Sequence, residues 1–235
     1  LIFDYSAINT TNSYQKVVLI FDLGTVGDGS ANFTFLFDDI RLTNQLPTSL
    51  LTLPVTFDNP LVNYAVSDFG GNVTINDVDP GNAANKVKKT TKTSGAQTWA
   101  GTTIGAGFTS KIPFTATTTQ MSVRVYSPAA GIRVRLKVED RTNNTRSVET
   151  EAMTQAANTW ETLVFDFANQ SAGTAAMNLT YNYDMASIFF DFGNAGTGRV
   201  FYWDDVSFLP VNVTPDYLAL PLDFQSTTIA YNFVN

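Results

Sequence analysis

Val123 and Val125 alternate with Ser122, Arg124 and Tyr126, and shortly afterwards Ile132, Val134, Leu136 and Val138 alternate with Arg133, Arg135, Lys137 and Glu139. Side chains that change character at every second position suit a pleated strand with one face in a core and the other in water. Similar runs return at "LPVTFD", "NVTIND", "NKVKKTTKT", "QTWAGTTIG", "SVETEAMT", "TWETLVFDF", "ASIFFDF" and "RVFYWDDVSF", with turn signals such as "DFGGN", "DPGN", "SPAAG", "DRTNN" and "FGNAGTG" between them. About ten short strands and no long helical stretch predict an all-β fold, an antiparallel two-sheet β-sandwich of the jelly-roll kind. Residues 173–186 are the one place left for a helical turn.

The chain also repeats itself. "FTFLFDDIRL" at 33–42 returns as "GRVFYWDDVSF" at 198–208, with Phe35 matching Phe201, Phe37 matching Trp203, and Asp38 and Asp39 matching Asp204 and Asp205. "LIFDYSAINT" from Leu1 resembles "LVFDFANQSA" from Leu163, "LIFDLG" at 19–24 resembles "FFDFG" at 189–193, and "LPVTFDNP" at 53–60 is echoed by "LPLDFQST" at 220–227. Kept in order at a period of about 166 residues, these matches predict a tandem array of domain-sized copies. Residues 1–47 are then the C-terminal strands of a preceding repeat, 48–212 one complete copy, and 213–235 a linker and the first strand of a following repeat. The proline-flanked stretches "LPTSLLTLP" and "LPVNVTPDYLALP" fit the joints, since proline removes ladder donors and fixes φ.

Composition narrows the function. With 44% hydrophobic and 15% charged residues the chain has a folding composition, and a copy of roughly 165 residues is long enough to bury a core. Cysteine and histidine are both absent, which removes disulfides, thiol chemistry, the usual general base and the commonest zinc ligand. A net charge of −7 argues against nucleic acid, which attracts clustered cations. No apolar run approaches the ~18 residues of a membrane span, and no signal peptide is expected at Leu1, because a window from inside an array would not show one. There is no phosphate loop and no E-x-D-x-x-E pattern of the β-glucanase kind, so an enzyme is not expected. The paired Asp204 and Asp205 are adjacent on a strand, point to opposite faces on simple alternation, and so cannot flank one glycosidic bond.

An opening strand ending at Phe57-Asp58, the mid-chain Trp99-Ala100-Gly101, a "TW" leading into "ETLVFDF", and a last strand carrying "YWDDVSF" resemble, in that order, the jelly-roll carbohydrate-binding modules of families four, sixteen and twenty-two. The resemblance runs from about residue 53 to 209 and is nearest to repeat modules of secreted or surface-anchored glycan-utilisation proteins and adhesins of polysaccharide-degrading bacteria. It implies an extracellular or cell-surface location and non-catalytic binding of a polysaccharide, with a laminarin-like β-glucan the first expectation. It also implies a structural calcium held by Asp58 and Asp205, with carbonyls of the "DPGNAAN" loop as helpers; oxygen-only ligation suits that hard cation. The alternative is that these carboxylates merely satisfy turn N–H groups. In the third copy Gln225 stands where Asp58 stands here.

Trp99 is the leading candidate for touching a ligand, because an indole stacks on the apolar face of a pyranose, although a tryptophan there also suits a core edge. Trp160 is expected in the core, and Trp203, out of phase with Val206 and Phe208, is expected to face away from what they bury. Arg124, Arg133, Arg135 and Lys137 are expected on one face of neighbouring strands, either donating to sugar hydroxyls or forming a ladder with Glu139, Glu149 and Glu151. Tyr126 and Asp191 join the candidate ligand residues by phase. Two functions follow: each copy binds polysaccharide and repetition raises avidity, or the copies, packed only against neighbouring repeats, are spacers in a surface stalk.

Overall fold

The computed structural model of the protein describes residues 3, 5, 7–37, 40 and 50–209. They belong to two compact units, Leu1–Leu46 and Pro47–Asn235. The repeat residues Asp38 and Asp39 and the expected third-copy segment 213–235, with Gln225, lie outside the described residues.

The larger unit is an all-β sandwich. Its strands are β1 (Ser67–Phe69), β2 (Asn72–Asp79), β3 (Asn82–Lys92), β4 (Gly101–Thr103), β5 (Gln120–Tyr126), β6 (Arg133–Asp140), β7 (Asn143–Met153), β8 (Trp160–Asp166), β9 (Met185–Phe190) and β10 (Arg199–Leu209). One sheet runs β1-β4-β9-β6-β7 and the other β2-β3-β10-β5-β8, and the paired strands are antiparallel. The alternations read from the sequence hold in β5 and β6: Val123, Val125, Val134, Leu136 and Val138 are buried and pack into a common core with Phe165, Ile188, Phe190 and Phe201. No helix forms at 173–186, whose connections are turns such as the one closed by the Thr174 N–H on the Ser171 carbonyl. The expected first strand "LPVTFD" contracts to a single bridge, Val55 to Val206, because Phe57 takes a left-handed φ of 57° and turns the chain away. Even so, the opening and closing segments lie side by side, with the Val55 and Val206 backbones exchanging hydrogen bonds of 2.9 and 3.0 Å.

β10 occupies the centre of its sheet, and its register slips between Asp204 and Ser207. Asp205 sits there with a φ of 49°, so an extra residue is accommodated as a β-bulge and the side-chain phase is reset. The expectation for Trp203 is corrected by this bulge: Phe201, Trp203 and Val206 are all fully buried in one core. The Trp203 indole N–H donates to Thr90 Oγ1 at 2.9 Å, and its ring stands edge-on to Phe57 at 5.2 Å.

Toward β1–β4 the interior turns polar. Asp68 accepts from the hydroxyls of Thr74 and Thr102, each at 2.7 Å, and Thr74 meets Thr90 at 2.8 Å, so a hydroxyl network joins the two sheets. Two buried lysines on β3 face the same interior. Lys92 donates to the carbonyls of Phe190 and Asp191 at 3.2 and 3.0 Å, tying one sheet to the other. Lys88 donates to the Tyr64 carbonyl and to Asn76 Oδ1, and burial pushes its ammonium down to about 8.

A lysine whose folded pKa lies below its unfolded value opposes folding while charged, and that penalty is relieved as pH rises from the folded toward the unfolded pKa. Stability is therefore expected to rise between pH 8 and 10, by up to about 1.4 kcal/mol per pH unit for one such group. Denaturant melts of the protein and of Lys88→Met across that window check this: the variant loses most of the rise, and equal slopes would show that Lys88 does not titrate in the fold.

In the smaller unit the described residues form one 3-10 turn, Ala31–Phe33, and no strand. Phe21 stacks on Phe35 with ring centroids 4.8 Å apart, while Phe3, Val18, Leu23, Val26 and Leu36 are exposed.

Candidate functional site

The outer face of the β1-β4-β9-β6-β7 sheet carries a groove of about 450 Å³ lined by Phe69, Trp99, Arg135, Lys137, Glu149 and Phe189 among others. Strand registry builds its floor in two rows. In one, Ser67, Thr103, Ser187, Lys137 and Glu149 lie side by side across the five strands. In the other, Phe69 pairs with Gly101, and Phe189 pairs with Arg135, which pairs with Glu151. The β1-β4-β9 half is thus aromatic and hydroxylic, and the β6-β7 half charged.

Gly101 makes the aromatic half possible. A Cβ there would stand 2.5 Å from the Phe69 ring and 2.6 Å from that of Phe189, so the two rings close over a position where any side chain would collide. They meet edge to face at 5.5 Å. The Trp99 ring lies nearly parallel to Phe69, with centroids 6.2 Å apart and an interplanar angle of 19°. Trp99 remains 51% exposed, so its outward face is free for a ligand.

The charged half is internally compensated. Arg135 donates to Glu149 at 2.7 Å and to Glu151 at 2.8 Å, and its guanidinium lies 3.6 Å from the Phe192 ring centroid. Lys137 pairs with Glu139 at 2.6 Å. On β6 and β7 the ladder read from the sequence forms, without Arg124, and its Arg135, Lys137, Glu139 and Glu149 line the groove.

The structure brings Trp99, Arg135 and Lys137 together and separates the other ligand candidates from them. Arg124 and Tyr126 lie on β5, in the opposite sheet, so Arg124 shares no face with Arg135. The Arg124 guanidinium lies 4.2 Å from the Trp160 ring centroid and bonds Asp79 at 3.3 Å, while Tyr126 stands edge-on to Trp160 and Tyr202. Trp160 is correspondingly not in the core: it is half-buried on that outer face, its indole N–H on Asp79 Oδ1 at 2.8 Å. Asp191 is buried at the end of β9, where it accepts from Arg199 and Asn194, both at 2.7 Å, and anchors a turn. Phe69 and Phe189 were not anticipated. The sequence signal for Phe189 is the Phe189-Phe190 pair, since adjacent strand residues face opposite ways and only one can enter the core; Phe69 is hidden inside the turn signal "DFGGN".

The expected metal ligands Asp58 and Asp205 both lie near enough to Asp204 for their charges to act on it. Asp58 accepts the Lys86 N–H at 3.0 Å, and Asp204 accepts from Asn85 at 3.0 Å and from the Asp205 N–H at 2.8 Å. Burial first, and then the negative charges of Asp205 and Asp58, raise the Asp204 carboxyl to about 6 despite those donors. Asp58 and Asp205 offer oxygen donors of the kind that calcium takes. Among the described residues, no three Asp or Glu are spaced as a ready metal cage.

The larger unit is thus an antiparallel sandwich with an aromatic groove on one outer sheet face. No protein-family model matches the chain, and no curated protein matches its sequence. Similar solved structures include the family 11 carbohydrate-binding module of a cellulosomal cellulase of Clostridium thermocellum, at 13% identity over 69% of this chain and 96% of that one, with a TM-score of 0.44. The CBM22-1 xylan-binding domain of Paenibacillus barcinonensis Xyn10C is similar at 12% identity over 66% and 90%, with a TM-score of 0.40. TmCBM61, solved with β-1,4-galactotriose, is similar at 12% identity over 69% and 99%, also at 0.40. These solved structures are carbohydrate-binding modules, and the likeness to them is one of fold. What this groove takes is decided by its own residues.

Proposed function

We propose that the larger unit is a non-catalytic, extracellular polysaccharide-binding module that takes a neutral glycan, a laminarin-like β-glucan first, in the Trp99 groove. The observation that carries this reading is the half-exposed Trp99 indole, backed by the parallel ring of Phe69 over a floor of hydroxyls and charged groups. A pyranose laid on the indole buries its C–H face, while its equatorial hydroxyls meet the donors and acceptors of Lys137, Glu149, Asn144 and Ser187. Because Arg135 and Lys137 are already paired with glutamates, the groove offers no net positive charge to an acidic polysaccharide. That same pairing is the observation favouring the second reading, a spacer repeat whose ladder only stiffens the sheet.

Titration calorimetry with laminarin and with an acidic polysaccharide separates them. Binding to laminarin is expected, and Trp99→Ala should weaken it by about 1–3 kcal/mol with little change in melting temperature, since the ring it removes is a partly exposed anchor. Absence of binding to every neutral glycan would leave the spacer reading.

Calcium at Asp58 and Asp205 belongs to the same proposal. Bound there, it would supply charge neutralisation beside the buried Asp204 and hold the opening segment to β10; Asp58 and Asp205 would be its side-chain ligands. Excess chelator is then expected to lower the melting temperature, because a ligand of the folded state alone stabilises by mass action. An unchanged melt with and without added calcium would remove the claim.

A further inference from the structure

The smaller unit repeats the sequence of β8–β10 and, after the β9 equivalent, one backbone turn. Aligning "LIFDLG" with "FFDFG" sets Asp22 against Asp191 and Gly24 against Gly193. Asp22 and Asp191 both have φ 50°, and the two glycines have 94° and 90°. The same turn closes each: the Thr25 N–H on the Asp22 carbonyl at 3.0 Å, and the Asn194 N–H on the Asp191 carbonyl at 3.2 Å. A non-glycine residue in the left-handed region is uncommon, so its recurrence at matched positions is informative. Phe21 stacks on Phe35 at 4.8 Å and 12°, and their counterparts Phe190 and Phe201 stack at 4.6 Å and 10°.

In the complete copy, β8 pairs with β5, β9 with β4 and β6, and β10 with β3 and β5; none of the three pairs with another. A unit holding only their equivalents has no ladder to form, which accounts for the lack of strands among its described residues. Its described apolar positions that match β10 are correspondingly uncovered. Phe35, Phe37 and Ile40 are 44%, 62% and 60% exposed, whereas their counterparts Phe201, Trp203 and Val206 are each 0% exposed.

We infer that residues 1–46 form an interaction surface whose partner is the β3–β6 sector of a preceding copy of this repeat in the same polypeptide. Chain order selects that occupant: the β8–β10 equivalents come first and a complete copy follows, the order a tandem array imposes. The inference is independent of what the groove binds.

The test extends the full chain by placing a second copy of residues 48–162 ahead of Leu1, so that Leu1 follows where Leu163 follows in the complete copy, and reads hydrogen exchange. In the chain as it stands, amides at 19–24 and 33–37 should exchange fast. In the extended chain they should slow by about 100-fold or more, toward the protection of 189–193 and 199–203. Phe35→Ala in the extended chain should reduce protection at both segments while leaving 50–209 unchanged. No gain in the extended chain overturns the inference. So does protection already present in the original chain: a rise with protein concentration would assign the surface to a second molecule, and independence of concentration to the adjoining sandwich.

Discussion

The extra residue in β10 is the constraint on which the sandwich depends. Strict alternation from Phe201 would bury Trp203 and expose Val206; the bulge at Asp204–Ser207 lets both enter the core. Trp203 then anchors the polar end of the interior through Thr90, and Val206 meets Val55, fastening the opening segment to the closing strand. With β10 hydrogen-bonded to β3 on one side and β5 on the other, its loss would divide that sheet in two. The same bulge holds Asp204 and Asp205 near Asp58, so the concentration of carboxylates there accompanies the closing of the core.

The groove depends on β10 only indirectly, through the core that supports the opposite sheet. Ile188 and Phe190 fill the interior, which leaves Phe189 on the outer face, and Gly101 lets Phe69 close over it from the neighbouring strand. Trp99 lies nearly parallel to Phe69. The charged half is paired within itself, which holds its side chains in place. Rigid strands, rather than loops, hold most of these groups, and that preorganisation limits the entropy lost when a ligand orders them.

Much of this was legible in the sequence. Alternation places Arg135 and Lys137 on one face of β6, and the structure agrees. Alternation does not say to which sheet a strand belongs, so Arg124, equally well phased on β5, lies on the far side of the molecule. Periodicity alone turns Trp203 the wrong way, because a bulge leaves no mark in it except the Asp204-Asp205 pair that interrupts it. Trp160 has the size of a core residue, but its N–H and ring face are taken by Asp79 and Arg124 outside the core. The contraction of "LPVTFD" to one bridge follows from a left-handed Phe57, a conformation that an aromatic residue does not advertise.

The groove's role is tested most directly by the protein's own fluorescence. Of three tryptophans, Trp203 is fully buried and Trp160 is covered by Arg124, leaving Trp99 as the indole a groove ligand would touch. Titration with a soluble neutral β-glucan oligosaccharide should give a saturable blue shift and intensity change that disappear in Trp99→Phe. A saturable signal that survives in Trp99→Phe, or none in the wild-type protein at millimolar oligosaccharide, would contradict a glycan seated in this groove.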